Sequence, residues 1–571
     1  MYLRCNRRFK DGKEHRYWNI VESKRCAGGK VVQRQVLYLG EINDSQRESW
    51  CRVIEAFDEQ SRQRTQLALF PAQGEVPEYA RGYGVQVRLD RMELHRPRQW
   101  GACWLACHLY EQLELDQFWA DRLVDSREGT CWRHILQTLV CYRLIDPGSE
   151  WRLHRLWYES SAMGDLLDAD YSLVEKNALY RCLDKLLKHK AALFSHLRER
   201  WQDLFQAKFD VLLYDLTSTY FESDPPKNPQ DKRRYGYSRD KRSDCVQVVI
   251  ALVVTSEGFP LAYEVLAGNT SDKTTLQEFL QKIETQYGKA ERIWVMDRGI
   301  PTEPVLAEMR QSDPPVYYLV GTPKGRLTQL EQSLLSLPWQ AVRPGVEVKL
   351  LAREQELYIL AQSHDRIHKE RAMRQRQLRA LVKRLKELQQ MKFSSTQKLL
   401  LKLGAAKGRY PAAWRLIDIK MPEPSGSSFS FRLNRQKLRA VRRREGRYLL
   451  RSNLCGRDPA ELWQFYIQLI EIEAAFKNLK DDLALRPIHH QLEHRIEAHT
   501  FVAFIAYCLH VTLRARLRRV AGGLTARAVL DKFSAIQMLD VKFPTTDGRT
   551  LILSRYTEPT IDHKLLLEQL N

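Results

Sequence analysis

The sequence lacks several things that would each have fixed a class. Its longest apolar runs, CVQVVIALVV and TFVAFIAYCLHVTL, fall short of the roughly 20 residues a spanning helix needs, so no membrane partner is expected. No apolar segment follows MYLRCNRRFKDGK at the start, so no secretory signal is read and a soluble, cytoplasmic protein is expected. The 11 cysteines form no framework. Cys103, Cys107 and His108 lie close together, as do Cys131 and His134, but WLAC and CWRHILQTLV read as apolar helix faces, and no second CxxC completes a zinc site. Scattered free thiols fit a reducing compartment. No internal repeat is visible. Acidic residues are in deficit, 70 against 91 Lys and Arg, and the net charge of +21 suits a polyanionic partner, with nucleic acid the first candidate.

What is present is a long chain of 571 residues, 44% apolar and 28% charged, enough for roughly three or four domains. Residues 1–90 mix short alternating runs with turns, and HRYWNIVES and VVQRQVLYLGE around KRCAGGK read as a β-hairpin. Residues 91–205 keep helical spacing and form a helical domain with possible DNA binding. From 206 to 320 the period changes. FDVLLYDL is a strand, CVQVVIALVVTSEGFPLAYEVLAGN two strands turning at Glu257-Gly258, and ERIWVMD and PVYYLVGTPK two more. A helix capped by Ser271 or Asp272 and a second with Pro301 early in it alternate with them, giving an α/β sheet of mixed pairing. Residues 321–454 hold short β runs and a basic helix, Arg366 to Gln390, in which nine Lys and Arg face one Glu between Arg366 and Lys386. Its Leu378, Leu381, Leu385 and Leu388 stripe should pack and leave the basic face outside, available to DNA. Residues 455–520 return to a helix that opens at Asp458-Pro459 and stops near Leu485; 521–571 is a C-terminal region.

Three carboxylates stand in apolar settings. Asp215 interrupts VLLYDL, a strand whose two faces are mostly apolar. Asp297 ends the apolar strand Ile293–Met296 and precedes Arg298-Gly299, and ligand sites of open α/β sheets gather at such strand ends. Glu473 lies on the stripe Tyr466, Leu469, Glu473, Phe476, Lys480, spaced 3, 4, 3 and 4, on a face expected to be buried. An ionised carboxylate in such a place needs a cation, backbone donors or a metal ion. Three converging carboxylates would suit Mg²⁺ or Mn²⁺ rather than Zn²⁺, and two such ions can clamp the oxygens of a phosphodiester. The structural alternative for each is a capping or salt-bridged residue.

With these residues the chain resembles bacterial insertion-sequence transposases of the DDE type, which have a ribonuclease H-like core. YDLTSTYFE resembles the motif of the first Asp and VMDRG that of the second; GYSRDKRSDCVQVVIAL and GFPLAYEVLAGNTSD resemble the block between them. Tyr466, Glu473 and Lys480 match a Tyr-x2-Arg-x3-Glu-x6-Lys signature, and LRPIHH, IEAHTFVAFIAY and the N-terminal VLYLGE are similar to the same group. The resemblance implies a ribonuclease H-like mixed sheet with a β-rich insertion domain and an N-terminal helical domain. It implies cutting and joining of element ends by metal-dependent hydrolysis and strand transfer. Asp215, Asp297 and Glu473 would hold two Mg²⁺ or Mn²⁺ ions, Tyr466 and Lys480 would contact DNA, and Arg298 is a basic neighbour that could substitute as a DNA contact for the signature's Arg. Its partners would be double-stranded DNA, as inverted-repeat ends and target, with a homodimer in the synaptic complex, associated with the nucleoid. The signature's Arg position is Leu469, which cannot bond a phosphate. That departure keeps a copy that only binds DNA in view, beside another ribonuclease H-like nuclease.

Overall fold

The structure is a computed structural model that describes residues 2–10, 13–25, 31–40, 53–58, 63–68 and 85–570, apart from 128, 170, 272–274, 289–290, 298, 323–329, 331–332, 335, 354, 392–394, 422–428 and 546–547. At the start, β1 (Tyr2–Lys10), β2 (Lys13–Arg25) and β3 (Val31–Gly40) form an antiparallel sheet, in which β2 and β3 are the hairpin read from the sequence and β1 is added to it. A second small sheet joins β4 (Val53–Asp58), β5 (Gln63–Ala68) and β6 (Val85–Arg88). After β7 (Glu93–Gln99) come helices, among them α1 (Gly101–Gln112), α2 (Trp132–Ile145) and α3 (Lys190–Phe205). Gly101 opens α1 because a Cβ there would stand 2.2 Å from the Phe533 carbonyl oxygen.

The large sheet begins with β8 (Val211–Phe221). β9 (Val246–Thr255) and β10 (Pro260–Ala267) pair antiparallel across a turn at Gly258, whose φ of +92° favours glycine. Next come α4 (Leu276–Tyr287), β11 (Ile293–Met296), α5 (Glu303–Gln311) and β12 (Tyr317–Thr322). Thr275, not Ser271, stands at the N-cap of α4, and Asp272 lies outside the described residues. The long segment that follows supplies β13 (Gln340–Arg343), β14 (Val346–Arg353), β15 (Glu356–Ser363), α6 (His364–Gln390), α7 (Thr396–Arg409), β16 (Ile417–Lys420), β17 (Ser430–Leu433), α8 (Arg435–Arg444) and β18 (Arg447–Ser452). Then come α9 (Pro459–Ile467), α10 (Leu469–Lys477), α11 (Glu493–Val520), β19 (Gln537–Pro544) and β20 (Thr550–Tyr556).

The chain divides into two units. The second comprises Phe209–Asp215 and Ser271–Ile470. In it the strand order is β8-β11-β12-β18-β15-β14-β13, with β8, β11 and β12 parallel and the rest antiparallel. The strands of the long insertion thus extend the same sheet, since β18 bonds β12 directly. Beside them α6 buries Leu381, Leu385 and Leu388 against Leu399, Leu403 and Phe429, as the leucine stripe predicts. Each leucine so buried contributes roughly 1.5–3 kcal/mol.

The first unit comprises Met1–Lys208, Leu216–Thr270 and Glu471–Asn571, and there the order is β10-β9-β8. β9 is buried along its whole length, the mark of a strand covered on both faces. Its core helix is α11: among the described residues it alone is long and apolar enough to cross a membrane, and 89% of its apolar window is buried inside the protein. Trp201 of α3 donates its ring N–H to Thr512 of α11 at 3.0 Å, and Tyr263 of β10 packs on Phe504 at 4.8 Å between ring centres. Together the two units give a mixed α/β architecture with a large mixed sheet, the fold class expected of a ribonuclease H-like transposase core.

Candidate active site

The parallel pairing of β8 and β11 sets in register the residues just before two of the three carboxylates. Tyr214 and Met296 are register partners, the last of four such pairs. Asp215 and Asp297 each follow one residue later along the chain; β8 continues through Asp215 to Phe221, whereas β11 ends at Met296 and Asp297 lies just past it. The sheet holds this register firmly. Leu212, Leu213, Tyr214, Val295 and Met296 are all fully buried, and Tyr214 exchanges a 2.7 Å hydrogen bond with Thr275. A slip by one residue would turn every one of them to the wrong face.

The expectation that the carboxylates are buried needs correction. In β8 every residue is buried except Asp215 and Tyr220, which are half-buried, and Asp297 is exposed. Asp297 therefore keeps much of its hydration just past the end of β11, whereas Asp215, in the middle of β8, is half-buried.

Glu473 belongs to the first unit and is also exposed, although its stripe neighbours Leu469 and Phe476 are buried, at 9% and 7% exposure. The continuous helix read from the spacing is not continuous. Asp458 stands at the N-cap with Pro459 in the first turn, as expected, but α9 ends at Ile467, Gln468 is a turn, and α10 starts afresh at Leu469. The end also departs from α geometry: residues 478–482 form a wider π-type turn in which Leu483 N–H bonds the Asn478 carbonyl at 2.9 Å. The stripe from Tyr466 to Lys480 thus crosses a break at Gln468.

The other three residues have different settings. Tyr466, in the second unit, stacks on Tyr448 at 5.7 Å, with the Arg366 guanidinium 4.9 Å above the Tyr448 ring. Lys480, in the first unit, donates to Asp240 at 2.9 Å, and Arg486 donates to the same carboxylate oxygen. The other Asp240 oxygen is buried with no hydrogen-bond partner. Burial pushes the Lys480 ammonium pKa down, and the Asp240 carboxylate resists that shift. Arg298 lies outside the described residues.

Sequence reasoning missed one gathering of metal-type ligands. Glu150, His490 and His499 are all buried and bring their ligand atoms within 4.8 Å of one another, beside a cavity of about 120 Å³. Arg143 stands 3.9 Å from Glu150 and 3.4 Å from Nδ1 of His499, a fixed positive charge that opposes a cation there. Burial and Arg143 hold His499 down at about 4. The cluster is a buried polar network linking α2, Glu150 and α11. No pattern could have announced it, since Glu150 lies 340 and 349 residues from the two histidines in sequence. The cysteines of α1 are likewise packing residues: Cys103 and Cys107 are buried, and desolvation pushes the Cys103 thiol pKa far up.

The family described as Transposase DDE domain matches residues 207–509, more than half of the chain, and the family described as IS1634 family transposase, N-terminal domain, matches residues 3–69. Comparison with curated proteins gives no match. Among solved structures, a piggyBac transposase synaptic complex with hairpin DNA is similar at 9% identity and a TM-score of 0.35, over 76% of this chain and 77% of that one. The DDE match covers β8 and β11, and the N-terminal match covers most of the β1–β3 sheet. The chain belongs to the DDE transposase family of insertion sequences and is a DNA transposase, an enzyme that cuts and joins DNA.

Proposed function

We propose that Asp215, Asp297 and Glu473 together hold two divalent ions, Mg²⁺ or Mn²⁺, with which the enzyme cuts its element's ends and joins them to target DNA. DDE domains work with divalent ions, and the donors here suit them, since carboxylate oxygens are hard ligands. The observation that supports the reading is the parallel register of β8 and β11 up to Tyr214 and Met296, one residue before Asp215 and Asp297, with Asp215 half-buried and Asp297 exposed. When bound, such ions supply Lewis-acid stabilisation of the phosphodiester oxygens and lower the pKa of attacking water.

The chain's own residues do the rest. Asp215 is fixed by a buried strand on both sides, which keeps its carboxylate from swinging with the loop that follows. Glu473 reaches solvent from α10 and can close a ligand set with the aspartates. Lys480 and Tyr466 contact backbone phosphates, Lys480 as a point charge and Tyr466 through its hydroxyl. Lys480 already binds an anion, Asp240, and a phosphate is the same kind of partner. The exposed cations of α6 and α8 add contacts that position the duplex without reading it. The ends are the element's inverted repeats, two copies of the chain hold them in synapsis, and the work is done on DNA in the cytoplasm at the nucleoid.

Alanine at Asp215, Asp297 or Glu473 should each abolish Mg²⁺-dependent cleavage of element-end DNA in a gel assay while leaving a mobility shift on the same DNA intact. Ordinary cleavage by any one variant would remove that residue from the set. Cutting without joining by the unmodified protein would favour another ribonuclease H-like nuclease, and binding alone a repurposed copy.

A further inference from the structure

The connection between β8 and β9, residues 222–245, holds seven Lys and Arg against three Asp from Lys227 to Asp244. Amid that charge stand two tyrosines on either side of Gly236: Tyr235 is 55% exposed and Tyr237 87%. Large aromatics so open to water need a reason, because each leaves apolar area unburied.

Floppiness is not the reason. Arg234 and Gln247 exchange backbone hydrogen bonds of 3.0 and 2.9 Å, and Gly268 N–H bonds the Lys232 carbonyl at 2.8 Å. The buried Gln247 side chain donates to the Tyr237 carbonyl at 3.1 Å and to that of Gly268 at 2.8 Å. Gly236 lies so close to the sheet that a Cβ would stand 2.0 Å from the Gly268 carbonyl oxygen. At the base Arg233 binds Asp231 and Gln491, and further along Asp240 is clasped by Lys480 and Arg486. Lys241 adopts a left-handed φ of +60° to turn the chain there. Tyr237 is thus an exposed ring on a backbone fixed at both ends, followed in sequence by Arg239, Lys241 and Arg242, the last paired with Glu222 and Asp244.

We propose that this connection is a DNA-gripping finger whose Tyr237 stacks on an unpaired base at the DNA end. The inference rests on the transposase assignment and not on the metal ligands. Cations beside the ring track phosphates, while a phenol ring offers a π-face that any base can cover. Within a duplex both faces of a base are covered by its neighbours, so a free face is met at a frayed or single-stranded end. A second copy of the chain is the competing occupant, and the positive surplus opposes it by like-charge repulsion.

The test uses the full chain and two fluorescein-labelled probes: a blunt duplex, and the same duplex with a single-stranded tail. Anisotropy titrations are run across a range of salt. The unmodified protein should bind the tailed probe about tenfold more tightly, the strength of one base–aromatic stack. Tyr237→Ala should lose that preference without changing the slope of log affinity against log salt, and Tyr237→Trp should keep it. Equal melting midpoints show that the variants are folded. Retained preference in Tyr237→Ala, or none in the unmodified protein, overturns the proposal. So does a Tyr237→Ala chain whose self-association alone changes in sedimentation, which gives the surface to a second copy. Failure of the unmodified protein to bind either probe would overturn the transposase assignment along with it.

Discussion

A leucine at 469 carries more information than the charged residues around it. In the signature this position is an arginine, and sequence alone leaves open that restoring Arg would restore a phosphate contact. Leu469 is only 9% exposed, so a guanidinium there would lose its water with no partner supplied. Leu469→Arg should therefore cost roughly 3 kcal/mol or more of stability, read as a lower urea midpoint. A variant of undiminished stability with faster cleavage would show instead that the site opens toward DNA. The carboxylates teach the opposite lesson. Asp215, Asp297 and Glu473 read as buried because their sequence neighbours are apolar, yet Asp215 is half-buried and Asp297 and Glu473 are exposed. Local composition reports what a residue's neighbours do, and an element's end or rotation decides what the residue itself does.

At the scale of elements, α6 was the most legible. Its apolar residues recur at helical spacing, Ser363 caps it by accepting from Arg366 N–H, and Leu381, Leu385 and Leu388 pack while Arg376, Arg379 and Lys383 stay exposed. Leu385→Ala should destabilise the second unit by about 2–5 kcal/mol, whereas Lys383→Ala should change it by less than about 0.5 kcal/mol, both read by urea denaturation. Equal effects would mean that the stripe does not pack. The helix from Asp458 was less legible. No Pro or Gly marks Gln468, so LWQFYIQLIEIEAAF reads as one run, but the chain passes from the second unit to the first at Ile470/Glu471, close to the break. Which strand pairs with which was equally closed to inspection. The short runs of 321–454 look like a separate β-rich insertion, and only the hydrogen bonds of β18 to β12 and β15 show that they continue the large sheet.

For the whole molecule, the buried His499 and the half-buried His510 set a pH limit. Burial holds His499 and His510 down at about 4, with Arg143 adding to the effect at the first and Arg514 at the second. In the unfolded chain each takes up a proton near pH 6.5. Between about 6.5 and 4 the unfolded state binds more protons, so stability is lost as pH falls through that window, by roughly 3 kcal/mol per histidine at most. Melting midpoints should drop steadily from pH 6.5 to 4, and His499→Asn with His510→Asn should flatten the drop. An unchanged midpoint over that range would mean that both are already accessible to protons in the folded protein.

By itself the sequence determined the basic balance, the strands and their order along the chain, the leucine stripe of α6 and the family, because these follow from composition, period and motif spacing. Only the tertiary structure decided the parallel register of β8 and β11, the break at Gln468, the clasp of Lys480 and Arg486 on Asp240, and the network of Glu150 with His490 and His499. Those join residues distant in sequence, and their geometry is fixed by packing and hydrogen bonds that no local pattern encodes.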